Sequence, residues 1–400
     1  MTATTANARL TATVARRRPP RLVAAIALVA LAVNSVLIQT VAADNEALKQ
    51  GVRGAVLMVV LVALLARNVY VPQWLTGLLL ASMSLLVLRQ NPDQLSIVFA
   101  LILALLLCLL PERTVLKYAA VAAVAALGLI FLLLWTGATV NQEIVLEKAG
   151  RIIRERQAYG TKGVPFFFNI VAGACMLSLL YAYRYWSRQR FALTLGAVLA
   201  LSYQLFRTTD ARGGFLTVLL FAGLLVIVPR VRIPIVYASV PVVLVGATPI
   251  LAYLTGYEVN RVLSNRPVFY RMFLEDREWF DFVLSTPVKA TAYPVDNSYI
   301  HLAVGGGLVM LAVFLALFWR AIYRLMERRL YGEVAFLIAA ATYCASESLI
   351  VRIELVWIVY VWYLLLRHGT AIGRPSFEVG SPVQRARGRR ADATATDMWL

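Results

Sequence analysis

Residues 253–310 read YLTGYEVNRVLSNRPVFYRMFLEDREWFDFVLSTPVKATAYPVDNSYIHLAVGGGLVM. The stretch separates two long apolar runs and carries eleven charged residues, in a chain that is 60% hydrophobic and 15% charged. Arg261, Arg266 and Arg271 come first, at five-residue spacing. An acidic and aromatic segment follows, with Glu275, Asp276, Glu278, Trp279 and Asp281. Asp296-Asn297-Ser298-Tyr299 then stands where the sequence turns apolar again. Charge crowded against membrane-length apolar runs is costly unless it handles something polar. This is the candidate active region.

Outward from it, composition sets the class. A mean hydropathy of +0.73 excludes an ordinary soluble domain. Apolar runs long enough to span a bilayer as helices recur along the chain. The expected fold is all-α: a polytopic integral membrane protein with about twelve transmembrane helices. They fall at roughly 22–42, 54–71, 74–88, 94–110, 118–138, 165–183, 191–206, 214–229, 234–253, 297–319, 333–350 and 354–366. Residues 1–21 form a basic cytoplasmic tail, since the run after it is too long for a signal peptide. Residues 22–368 form the transmembrane domain, and 369–400, rich in Arg, Gly, Ser and Ala, a disordered cytoplasmic tail.

Charge follows this topology. Of the 39 Lys and Arg, 23 fall on the inside, mostly in short basic loops, as insertion favours. The sixteen left outside work against that bias and point to an anion there. The net charge of +18 thus tracks the membrane and implies no nucleic acid. Two outside segments exceed a turn: 254–295, between the ninth and tenth helices, and 139–164. In the second, Ile144, Val145, Ala149, Ile152 and Ile153 among charged neighbours suit a helix lying in the interface. Cys108, Cys175 and Cys344 sit inside apolar runs and are expected as buried thiols. With two histidines and no GxxxxGK[ST] or GxSxG motif, neither a metal nor a cofactor is expected.

Arg207 and Arg212 flank a Thr-Thr-Asp turn, and Gly213-Gly214 opens the next apolar run. A helix N-terminus offers free N–H groups and a positive dipole end to a phosphate. Guanidiniums add permanently charged, bidentate donors. The plainer alternative is that Arg207 snorkels and the glycines pack. Among Arg261, Arg266 and Arg271, Arg266 has the most constrained neighbours, Pro267 and Phe269-Tyr270. Asp296-Asn297-Ser298 is first an N-cap signature. Asn297 and His301, four apart, share a helix face, and Asp296 or His301 can accept a proton from an attacking hydroxyl. Two readings stay open. Glu347, Arg352 and Glu354 either pair across the last outer hairpin or face the site. Lys49 and Arg53, in the first outer loop, either extend the anion site or are solvated.

These motifs, in this order, resemble the O-antigen ligase and polymerase superfamily. The resemblance rests on Ala211-Arg212-Gly213-Gly214, on Asn265-Arg266-Pro267 with Phe269-Tyr270, and on Asp296-Asn297-Ser298-Tyr299 ahead of Gly305-Gly306-Gly307-Leu308. It covers residues 200–320 by motif and the remainder by topology. It implies a metal-independent glycosyltransferase of GT-C-like architecture in the bacterial inner membrane, with its active site facing the periplasm. Such an enzyme moves glycan from an undecaprenyl-pyrophosphate-linked oligosaccharide to an acceptor glycan or glycolipid. Arg212, Arg266, Arg207, Arg261 and Arg271 would then bind pyrophosphate, and Asp296, His301 and Asn297 would serve catalysis. Membrane lipid and a chain-length regulator protein complete the implied partners. Asp296 stands where the ligases usually place His, and their Gly-x-x-Gly is Gly307-Leu308-Val309-Met310 here. Both departures favour a Wzy-type polymerase over a ligase acting on lipid A-core. A transporter or flippase of an anionic lipid or solute, using the same arginines, is the competing class.

Overall fold

The computed structural model describes residues 18–40, 46–66, 71–141, 143–148, 151–161, 163–254, 256, 266–288, 295–350, 352 and 355–370. Arg261, Glu354 and both tails, 1–17 and 371–400, lie outside the described residues. The order is α1 Arg18–Gln39, α2 Glu46–Leu65, α3 Gln73–Arg89, α4 Pro92–Cys108, α5 Glu112–Trp135, β1 Glu143–Lys148 and β2 Arg151–Gln157. There follow α6 Val164–Tyr185, α7 Arg188–Thr209, α8 Arg212–Ile227, α9 Pro234–Ala238, α10 Val240–Leu254, α11 Arg266–Glu275 and α12 Trp279–Leu284. The last are α13 Ser298–Ile300, a π-helical turn His301–Gly305, α14 Leu308–Glu327, α15 Tyr331–Ser346 and α16 Val356–Gly369. Prolines open several helices, at Pro92, Pro165 and Pro234, where the missing N–H is not needed.

Five of these helices are long and apolar enough to cross a membrane: Arg21–Gln39, Glu112–Trp135, Val164–Tyr185, Arg188–Thr209 and Leu308–Glu327. Five shorter apolar helices accompany them. At about 1.5 Å per residue the shorter ones reach roughly 22–26 Å, less than the ~30 Å hydrocarbon layer. The protein is therefore helical and membrane-like, while the twelve-span layout reaches beyond what helix length establishes.

α16 is the central post. Its sequence, VWIVYVWYLLLRHG, is apolar around the whole circumference and buried almost throughout, as a helix surrounded by other helices must be. It packs on α14, α4, α5, α6 and α15. Trp357 stacks on Tyr343, with centroids 6.1 Å apart and planes within 11°. A Cβ at Gly173 of α6 would sit 2.1 Å from the Trp357 ring, so only glycine allows this approach. Cys108, Cys175 and Cys344 are free and buried, as expected.

Four local expectations are corrected. Residues 143–148 and 151–157 form an antiparallel strand pair, β1 with β2 from Glu143↔Gln157 to Lys148↔Arg151, in place of an interfacial helix. The β-branched pairs Ile144-Val145 and Ile152-Ile153 suit strands. Lys49 and Arg53 belong to the first two turns of α2 instead of a loop. The run expected as one helix over 297–319 breaks at Gly306-Gly307, and α14 extends to Glu327. The segment expected to stay helical to 350 leaves the helix at Ser346; Glu347, Ser348, Leu349 and Ile350 are non-helical yet buried.

At the end of α15 that begins with Tyr331, a charge network closes the bundle. Arg184 of α6 bonds Glu333 of α15 and, at 2.8 Å, Glu112 of α5. His368 and Arg328 approach the same Glu112 carboxylate at 3.7 and 3.9 Å.

Candidate functional site

The opposite end of α15 carries the second charge cluster. Arg266 opens α11, and its guanidinium reaches three acceptors. Nη1 donates to the Ser346 carbonyl, Nη2 donates to Glu347 Oε1 at 3.1 Å, and Asp296 Oδ2 stands 3.7 Å from Nη2. One turn along α11, the Tyr270 hydroxyl donates to the Asp296 backbone carbonyl at 2.9 Å. The spacing of Arg266 and Tyr270 puts both on one helix face. The Arg266 and Asp296 expectations therefore meet in one place.

Asn297 is the N-cap of α13. Its Oδ1 accepts from the backbone N–H groups of Tyr299 and Ile300, and its Nδ2 donates to Thr248 of α10 at 3.2 Å. These bonds orient the backbone under Asp296. Ser298 Oγ donates to the Glu347 carbonyl at 2.6 Å and accepts from Leu349 and Ile350 N–H at 2.7 and 3.1 Å. That uses one donor and two lone pairs, the full capacity of a hydroxyl. His301 is buried and its Nε2 donates to the Val295 carbonyl at 3.1 Å, a bond that folds the ring back onto its own segment. Asp296 is the cluster's open group: its side chain is 38% exposed, against 9% for Glu347.

The electrostatics follow from burial. Burial raises the Glu347 carboxyl above the ordinary carboxylate value, and the Asp296 charge adds to the rise; Arg266 and Arg352 pull against it. Burial works against the Arg266 charge, but the carboxylates of Glu347 and Asp296 outweigh it and raise that group further. Tyr270 is pushed up by burial, so it stays a neutral donor.

The π-helical turn below is held from several sides. The Gly305 carbonyl accepts from Asn91 Nδ2 at 2.8 Å, just ahead of α4, and from Gln94 Nε2 at 2.9 Å, in its first turn, and the Val304 carbonyl accepts from Thr286 N–H at 2.9 Å. A π turn leaves backbone groups without their usual helical partners, and such turns concentrate at functional sites. A small separate core supports the site, with Ala252, Tyr270, Phe273, Val295, Ile300 and Val304 among its members.

The Arg212 turn flanks the same helix end. Asp210 caps α7 in the left-handed region (φ 51°) and accepts from Arg212 Nε at 3.2 Å and Arg156 Nη2 at 2.9 Å. Gly213 and Gly214 bring α8 onto α15. A Cβ at Gly213 would lie 3.7 Å from Ser346 Oγ, and one at Gly214 would lie 2.3 Å from the Phe168 ring. Arg212 thus stands one residue from a contact with Ser346, whose carbonyl receives Arg266. Its side chain is 58% exposed.

The remaining candidates separate from this centre. Arg271 pairs with Glu275 at 2.9 Å on the surface, and Arg207 is exposed on α7. Arg352 donates to Ser348 and lies 4.6 Å over the Phe166 ring, so it does not close a pair with Glu347 across the turn. Glu347 is the group whose place the sequence left undecided. Its signal was a carboxylate at the end of a long apolar run, a costly position that asks for a cationic partner. Asn91 and Gln94 gave no such signal, being two polar residues among many at a helix start. No family model matches this chain, nor does any curated protein or solved structure.

Proposed function

We propose that the protein is a metal-independent membrane glycosyltransferase of the polysaccharide-polymerase type. It would take glycan units from an undecaprenyl-pyrophosphate carrier and join them to an acceptor sugar hydroxyl at the periplasmic face of the inner membrane. In this reading the apolar helices make up twelve spans, and the Arg266 end of α15 faces the periplasm. The observation that carries it is the presentation of Asp296. Its backbone is fixed by Tyr270 and Asn297, its carboxylate is partly open to solvent, and Arg266 stands 3.7 Å from it, with the Arg212 turn at the same end of α15.

The chemistry balances with these groups alone. The acceptor hydroxyl loses its proton to the Asp296 carboxylate as its oxygen bonds the anomeric carbon. The bond from that carbon to the pyrophosphate oxygen breaks, and the lipid pyrophosphate leaves with the electron pair. Arg212, the more exposed guanidinium, contacts the diphosphate as its charge grows, and Arg266 adds positive charge from a fixed position.

Purified protein given lipid-pyrophosphate-linked oligosaccharide, in the presence of a chelator, should extend the lipid-linked chains. Asp296→Asn keeps the shape and should abolish extension. An active Asp296→Asn protein beside an inactive His301→Ala protein would move the base to His301. No extension by the folded wild-type protein with any lipid-linked glycan would overturn the reading.

A further inference from the structure

α12 is a six-residue helix with an unusual surface. Trp279, Phe280, Val283 and Leu284 are all exposed, at 65%, 47%, 49% and 44%. At about 100° per residue these four occupy one arc of roughly 140°. The Trp279 and Phe280 rings stack on each other, with centroids 3.5 Å apart. The opposite side of the helix carries Asp281 and the partly buried Phe282 and is tied down. Asp281 accepts from the Glu278 N–H at 3.2 Å and from Thr286 Oγ1 at 2.7 Å, and Arg277 lies 3.9 Å from it. Glu275, Asp276 and Glu278, just ahead, are exposed.

The apolar arc has a neighbour that says what covers it. Gly307 (φ 81°) packs under α12, where a Cβ would lie 3.3 Å from the Val283 carbonyl. The next residues, Leu308 and Val309, open α14 and are 48% and 65% exposed. α14 is one of the helices long and apolar enough to cross a membrane. The exposed arc of α12 is therefore continuous with the outward face of a membrane-length helix, at its end. An apolar face with large aromatics, backed by an acidic and polar edge, is the make-up of a segment lying in the headgroup–acyl boundary. A sugar platform is disfavoured: the two rings cover each other, and no polar side chain shares the arc.

We infer that α12 is a membrane foot: bilayer lipid covers Trp279, Phe280, Val283 and Leu284 on the leaflet at the Arg266 end. The foot and the π-helical turn are joined through Thr286 N–H to the Val304 carbonyl. The depth of the candidate site is then set by lipid contact as well as by the spans. This inference does not depend on the transferase reading.

The test uses the full chain in lipid nanodiscs. The three native cysteines are buried, so spin labels at Val283→Cys, Phe280→Cys and Asp276→Cys react selectively, with Val309→Cys as the lipid-facing reference. Accessibility to oxygen relative to a nickel chelate should be several-fold higher at 280 and 283 than at 276, and close to that at 309. Equal nickel access at 283 and 276 would overturn the proposal, leaving the face to water or glycan. Loss of access to both reagents, with dipolar broadening between labels, would overturn it in favour of a second copy of the chain. Because Phe280→Cys removes part of the foot, the unmodified protein is also labelled with a membrane-partitioned diazirine. Adducts within 279–284 are expected; labelling there by hydroxyl radicals alone refutes the foot.

Discussion

Glu333 and Glu347 stand at opposite ends of α15, about 20 Å apart along its axis, and each meets an arginine from another helix. At the Glu333 end the arginine, Arg184, is shared with Glu112, and the three side chains are 23% exposed or less. At the Glu347 end, Arg266 is shared with Asp296, which is 38% exposed. The first cluster keeps its carboxylates in: Glu112 and Glu333 are 21% and 3% exposed and answer Arg184 across α5, α6 and α15, and its outlying Arg328 alone of the five reaches the surface. The second keeps one carboxylate turned outward, 3.7 Å from Arg266, whose side chain is 29% exposed. Two clusters built from the same residue types thus differ in whether a carboxylate remains available to something outside the fold.

The comparison is broken most directly through Arg184. Arg184→Met leaves Glu333 buried without its cation and should cost about 3–5 kcal/mol of stability, read by thermal unfolding in detergent. If Arg266→Met costs as much, the two ends are alike and the open-site reading loses its basis. The next effect is on turnover. Arg266→Ala and Arg212→Ala should each slow chain extension about a hundredfold, equivalent to roughly 2–3 kcal/mol of transition-state stabilisation. Lys at either position should recover only part, since the planar fork is lost. Near-normal extension by both alanine variants would place the anion site elsewhere.

A smaller effect separates orientation from chemistry. Asn297→Ala removes the α13 cap and should cost about 1 kcal/mol of stability. Asn297→Asp keeps an accepting oxygen and should recover most of it; failure to do so would assign the loss to the Thr248 bond. The smallest effect is a pH slope. The Glu347 carboxyl lies above the ordinary 4.5 in the folded protein, chiefly through burial. A raised carboxyl contributes stability that is full below 4.5 and is lost as pH rises through the folded value. Thermal stability of the wild type relative to Glu347→Gln should therefore fall as pH climbs above 4.5. Parallel curves would mean that Arg266 fully offsets the burial.

What could be read in advance follows a physical line. Local signals held: Asn297 caps a helix, the apolar runs are helical, and Gly213-Gly214 allows close packing. Arg266 and Asp296 were both singled out, because charge beside apolar runs is conspicuous. The pairing of Arg266 with Glu347 was not legible, since it joins residues 81 apart and no local pattern encodes that distance. The strand pair was misread because five apolar residues among charges fit either period over so short a window. The break at Gly306-Gly307 was hidden by hydropathy, which does not distinguish a π turn from the helix beside it.

That break has a consequence for how the protein is made. The run from Ser298 to Glu327 is apolar enough to enter a membrane as one continuous rod, yet its first eight residues end up as a bent floor under Asp296. Their Gly305 carbonyl is satisfied by Asn91 and Gln94, which the ribosome released more than two hundred residues earlier. A Cβ at Gly306 would lie 2.8 Å from the Leu302 carbonyl and 3.1 Å from Ile97 of α4, so the bend and α4 fit this closely only with glycine there. The floor of the candidate site is complete only when the first and last thirds of the chain are together.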